Sequence, residues 1–136
     1  MQKTKILLDK FNLSLKTLEV AILESQKKEN KEKFEYFRDS VIQRFEYTTE
    51  IAWKTLKLAL EELEWIECNS PKSCFKDWFS NWYITNLKMY YSIIESRNST
   101  LHNYEKWNSV VLYDNILTYI KYLKELYEQI SKKSNW

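Results

Sequence analysis

Not one of the 136 residues is glycine. Loops that press bare backbone against phosphate need glycine for close approach and for positive φ angles, so the P-loop, dinucleotide-binding and protein-kinase classes are excluded together. Pro71 is the single proline, which leaves few helix breakers. Long helices are the expectation.

Apolar residues follow the alternating steps of three and four that bury one stripe of a helix. Leu8, Phe11, Leu15, Leu18 and Ile22 mark a first helix, closed by the charged run Gln26 to Lys33, a solvated linker or frayed end. The second starts near Glu32 and carries Phe34, Phe37, Val41, Phe45, Thr48, Ala52, Leu56, Leu60 and Leu63 along one side. At about 30 residues it should be roughly 45 Å long. Ser70 before Pro71 is an N-cap with a first-turn proline, opening a short helix with Phe75, Trp78, Phe79 and Trp82 inward. Leu87, Tyr90, Ile94, Arg97 and Leu101 continue the rhythm in a fourth helix. Tyr113, Ile116, Ile120, Leu123, Tyr127 and Ile130 do so in a last one from about Trp107. No segment alternates with strand period. Short connections favour antiparallel neighbours, so the reading is an all-α, single domain over residues 1–136: an up-and-down four-helix bundle with one additional short helix.

Composition narrows the function. A net charge of +2 gives only weak general attraction to nucleic acid, so an RNA or DNA site must come from a local cluster. Asp9 and Lys10 interrupt the apolar start that a signal peptide would need, and no run approaches a membrane span, which sets the expectation of a cytoplasmic protein with no membrane partner. Two cysteines and one histidine do not make a four-ligand metal site, and no cofactor is called for. In a reducing compartment Cys68 and Cys74 are expected as structural thiols.

Arg97 occupies a core slot of the fourth helix, where a guanidinium needs a carboxylate, phosphate or carbonyls to match its donors. Arg38 falls within the apolar stripe of the second helix, with Glu46 and Glu50 one turn apart on its flank. For Arg38 a structural ion pair or snorkelling to solvent accounts for the position. Arg97 differs because His102, the only histidine, follows five residues later. On an unbroken helix the two stand about 140° apart, whereas Asn98 and His102 share a face. Ser99, Thr100 and Asn103 favour caps and turns, so the chain is expected to leave the helix between Asn98 and Asn103, letting Arg97, Asn98 and His102 converge.

An arginine fork beside an imidazole suits phosphate, and it is the minimum for cleaving RNA without a metal. A base takes the ribose 2′ proton, the cation stabilises charge on the phosphorus oxygens, and an acid protonates the departing 5′ oxygen. One histidine per chain falls short of two proton transfers, and a two-fold homodimer supplies the second. A lone histidine capping a helix end is the alternative.

Arg97-Asn98-Ser99-Thr100-Leu101-His102-Asn103-Tyr104 resembles the Arg-x4-His-x-Tyr signature of HEPN-domain toxins. The block from Phe37 to Lys57 is similar to the long helix of one HEPN branch, the nucleotidyltransferase substrate-binding proteins, usually encoded beside a minimal nucleotidyltransferase (MNT). The likeness runs from the first helix to about Tyr119. It implies a metal-independent endoribonuclease whose Arg97 and His102, with Asn98 orienting them, meet at a homodimer cleft. It also implies that Tyr104 accepts AMP from a partner MNT antitoxin, which blocks the cleft. Glu46 is the implied candidate for orienting Arg97 or contacting a ligand, with Arg38 a possible support. The chain departs from the branch where glycine commonly follows the long helix; Glu64-Trp65-Ile66 stands there. A non-catalytic subunit that presents nucleotide or substrate to the partner enzyme is the second reading, and a plain helical interaction module the third.

Overall fold

A computed structural model describes residues 2–81, 86–101 and 107–134. Five α-helices follow in order: α1 (Gln2–Ser25), α2 (Phe34–Glu64), α3 (Pro71–Asn81), α4 (Leu87–Leu101) and α5 (Trp107–Ser134). The charged run after α1 is a short 3-10 helix, Lys28–Lys33, with none of its residues buried. The expected all-α bundle with one short extra helix is the observed fold, and α2 has 31 residues.

Side-chain contacts fix the direction of each helix. Ser14 of α1 accepts through its carbonyl from Thr48 of α2, and Leu7 does so from Thr55, so α1 and α2 are antiparallel. Phe34 packs on Tyr113, Phe45 on Tyr119, and Glu64 pairs with Lys133, so α2 and α5 run parallel. Parallel contact follows from the alternating order: α1 points one way, α2 the other, α4 back, and α5 forward again.

Most stripe positions that the spacing predicts are buried; Phe34, Phe37, Leu63, Phe79, Leu87 and Tyr127 are half-buried, and the Trp82 and Leu101 side chains lie outside the described residues. Phe11, Leu18, Val41, Phe45, Leu56, Leu60, Ile116, Leu123 and Ile130 are closed to solvent at one centre. Thr48 and Thr55 are also buried, and each hydroxyl donates to the carbonyl four residues earlier, Arg44 and Ile51, so neither is left unsatisfied. Phe75 and Phe79 of α3 flank Tyr90 of α4, with ring centroids 5.2 and 5.0 Å away. The Tyr90 hydroxyl donates to the Tyr122 carbonyl across 2.6 Å. Its burial, with Glu125 nearby, pushes the phenol above its usual range, which keeps it a donor.

Helix ends explain the connections. Ser70 caps α3 as expected: its Oγ accepts from the Ser73 N–H at 3.2 Å, and the Ser73 Oγ accepts from the Ser70 N–H at 3.1 Å, a reciprocal box. Where glycine was missing after α2, Trp65 itself takes the left-handed conformation, φ 58°, and Ile66 donates back to the Leu60 carbonyl. The side chain of Trp65 stands in solvent, where its bulk clashes with nothing but its own backbone.

One expectation is corrected here. Cys68 and Cys74 are not thiols but a disulfide, their Cα atoms 5.1 Å apart. The segment after α2 folds back against the first turn of α3, which buries both residues side by side.

Candidate functional site

Arg97 lies in the penultimate turn of α4 and reaches α2. Its Nη2 forms an ion pair with Glu50 Oε2 at 3.1 Å. The same oxygen accepts from Trp53 Nε1 at 3.2 Å, and Lys54 Nζ meets the other, Oε1, at 3.3 Å. Burial pulls the Glu50 carboxyl upward, but the Trp53 and Lys54 hydrogen bonds and the charge of Arg97 outweigh it. The group is held below its ordinary 4.5 and is an anion at neutral pH.

Arg97 is partly buried, with 20% of its side chain exposed. Its Nε is buried and has no hydrogen-bond partner among the described residues. The guanidinium is oriented by its ion pair with Glu50, and only the exposed part of its side chain is open to an incoming oxyanion.

The sequence nominated Glu46 to orient Arg97; the carboxylate in contact is Glu50, one turn further along. The signal was present in the spacing. Glu50 has donors at i+3 and i+4, Trp53 and Lys54, whereas Glu46 has Thr49 and another carboxylate, Glu50, at those places. Arg38, Ile42, Glu46 and Glu50 form one ridge of α2 at steps of four. Arg38 therefore stands about 18 Å along the axis from Glu50, and the two arginines are not brought together. Arg38 has 14% of its side chain exposed and an Nε 3.6 Å from Asp39 Oδ1, too long for a hydrogen bond.

Asn98 is exposed, one step round the helix from Arg97. The Ser99 and Thr100 hydroxyls donate back to the Ser96 and Arg97 carbonyls, both at 2.7 Å, so neither interrupts α4, which runs to Leu101. The chain is therefore still helical through Leu101, and the rest of the interval in which it is expected to leave the helix lies outside the described residues. His102 and Tyr104 lie outside the described residues. On the opposite flank, Ser96 Oγ and the Tyr119 hydroxyl share a hydrogen bond of 3.0 Å that ties this turn of α4 to α5. No described helix is long and apolar enough to cross a membrane.

No curated protein matches the chain in sequence. Among solved structures it is similar to a protein of Thermus thermophilus known from its crystal structure, at 26% identity and a TM-score of 0.75, over 88% of this chain and 98% of that one. The model of a family described as nucleotidyltransferase substrate binding protein like matches residues 7–132, and the chain belongs to that family.

Proposed function

We propose that this protein is a HEPN-type toxin, a metal-independent endoribonuclease held in check by a partner nucleotidyltransferase. The observation that carries the reading is Arg97: a partly buried guanidinium held by an ion pair with Glu50, at the first position of the Arg-x4-His-x-Tyr signature. In this scheme a histidine of the homodimer takes the 2′ proton and the 2′ oxygen attacks phosphorus. Arg97 offsets the charge on the non-bridging oxygens, and the second His102 protonates the 5′ oxygen as it leaves. The products are a 2′,3′-cyclic phosphate and a 5′ hydroxyl. Asn98, exposed beside Arg97, contacts the RNA or the imidazole.

Control runs through Tyr104. The partner transfers AMP from ATP to its hydroxyl and releases pyrophosphate, placing a bulky anion where RNA would bind. In this reading the reaction runs in the cytoplasm, where RNA and ATP meet and where a buried disulfide such as Cys68–Cys74 is an exception.

Expression of the chain alone should arrest growth, co-expression with the partner should relieve it, and mass spectrometry should find AMP on Tyr104. AMP confined to other residues removes the proposed control. A second reading is favoured by the Glu50 contact itself, which already offsets the charge of Arg97, and by the family's description. There the cleft binds nucleotide for the partner without turnover, and calorimetry would find nucleotide binding with no RNA cleavage.

A further inference from the structure

α1 packs on α2 and α5 and, among the described residues, not on α4, so its outer face does not border Arg97. That face is unusually apolar for a helix surface. Ile6, Leu13 and Val20 are 56, 63 and 58% exposed and follow one another at steps of seven. Scattered exposed aliphatics mean little, but these three recur at one of the two seam positions of a helix pair, the other being held by Asp9, Lys16 and Leu23. Beside Val20 the row opens into a groove of about 400 Å³ toward α2, walled by Ala21, Tyr36 and Phe37.

We infer that this face pairs with a second copy of the chain, α1 against α1 and antiparallel, about a two-fold axis at Leu13. Charge selects both the occupant and the direction. In this register Leu13 meets Leu13 of the second copy, and Ile6 meets Val20 at the mouth of the groove. Along one edge Asp9 faces Lys16; along the other Lys3 faces Glu24. Both of these pairs are of opposite sign, while Lys10 lies beside Thr17 of the second copy. The parallel arrangement would set Asp9 against Asp9 and Lys16 against Lys16, which repels. Within one chain Lys5 pairs with Asp9, Glu19 with Lys124, and Glu24 with Lys27. These are exposed pairs, weak enough to exchange partners when a second copy arrives. An isologous contact of this kind closes on itself, and with a separate dimer at the signature cleft it builds an assembly of four or more chains.

Cysteine cross-linking of the full chain tests the register, since Cys68 and Cys74 are buried and already joined. Leu13→Cys should give a covalent dimer on mild oxidation. Ile6→Cys and Val20→Cys should stay uncross-linked alone and cross-link when mixed. Leu13→Glu should halve the mass seen by sedimentation at a fixed concentration, with helicity unchanged. The inference is overturned if Leu13→Cys does not cross-link, if Ile6→Cys cross-links to itself as a parallel pair would, or if Leu13→Glu leaves the mass unchanged. It is also overturned if Leu13→Glu abolishes binding of the partner nucleotidyltransferase while self-association persists, because another protein then covers the face.

Discussion

Arg97 of α4 forms an ion pair with Glu50 of α2 at 3.1 Å, and this contact joins the start of the signature segment to the middle of the longest helix. It gives the pair two separable duties, holding α4 in place and presenting a cation.

The first prediction separates those duties. Arg97→Lys keeps a positive charge but loses the planar fork, so it should reduce growth arrest at least tenfold while the melting temperature changes little. Glu50→Ala should cost about 1 kcal/mol of stability, a modest figure because the Glu50 side chain is 32% exposed and water screens the pair. If Arg97→Ala only destabilises the protein and Arg97→Lys is fully active, the structural reading of Arg97 stands instead.

A pH effect follows from the same carboxylate. Glu50 titrates below 4.5 in the folded chain, so the unfolded chain binds its proton first as acid is added. The contribution of Glu50 is full above the ordinary carboxylate range and is lost as pH falls through its lowered folded value. Urea unfolding of wild type and Glu50→Gln between neutral pH and the acid limb should show the gap between them closing as pH falls.

Trp65 offers a stabilising change. It is 91% exposed and sits at φ 58°, which costs a residue with a Cβ roughly 1 kcal/mol or more. Trp65→Gly should raise stability by about 0.5 to 1 kcal/mol, because relief of that strain exceeds the added freedom of the unfolded chain. Thermal unfolding checks the sign.

The disulfide closes a short loop, with six positions separating Cys68 and Cys74. By the loop-entropy relation, its reduction should cost about 2 kcal/mol. Both cysteines are buried against α3, so the loss should be felt mainly there. Hydrogen exchange with and without reductant should show faster exchange in α3 and little change at the centre of α1.

Core packing sets the scale for all of these. Phe45 is fully buried and stacks on Tyr119, so Phe45→Ala should cost about 3 to 5 kcal/mol, well above any change at Glu50.

The helices were legible because one stripe of each had to be buried, and Leu8 through Ile22 or Tyr113 through Ile130 can satisfy that only as helix. Ser70 and Pro71 marked the start of α3 for an equally local reason, the unmet N–H groups of a first turn. What local pattern does not contain is which helix faces which. The parallel contact of α2 with α5, the choice of Glu50 over Glu46 and the pairing of Cys68 with Cys74 each depend on how elements pack or a connection folds back. Arg97 was conspicuous because a cation broke an apolar rhythm, yet its partner was settled by the crossing of α4 over α2. The exposed row on α1 is hidden in the sequence for a related reason: Ile6, Leu13 and Val20 stand out only because Leu8, Phe11 and Leu15 fill the core without them.

The central claim is that the segment beginning at Arg97 cleaves RNA without a metal. Purified wild-type protein should be incubated with RNA in excess chelator beside His102→Ala of the same helicity and melting temperature. The account predicts fragments with 2′,3′-cyclic phosphate ends from the wild type and intact RNA with His102→Ala. Intact RNA with both, or equal cleavage by both, would contradict it.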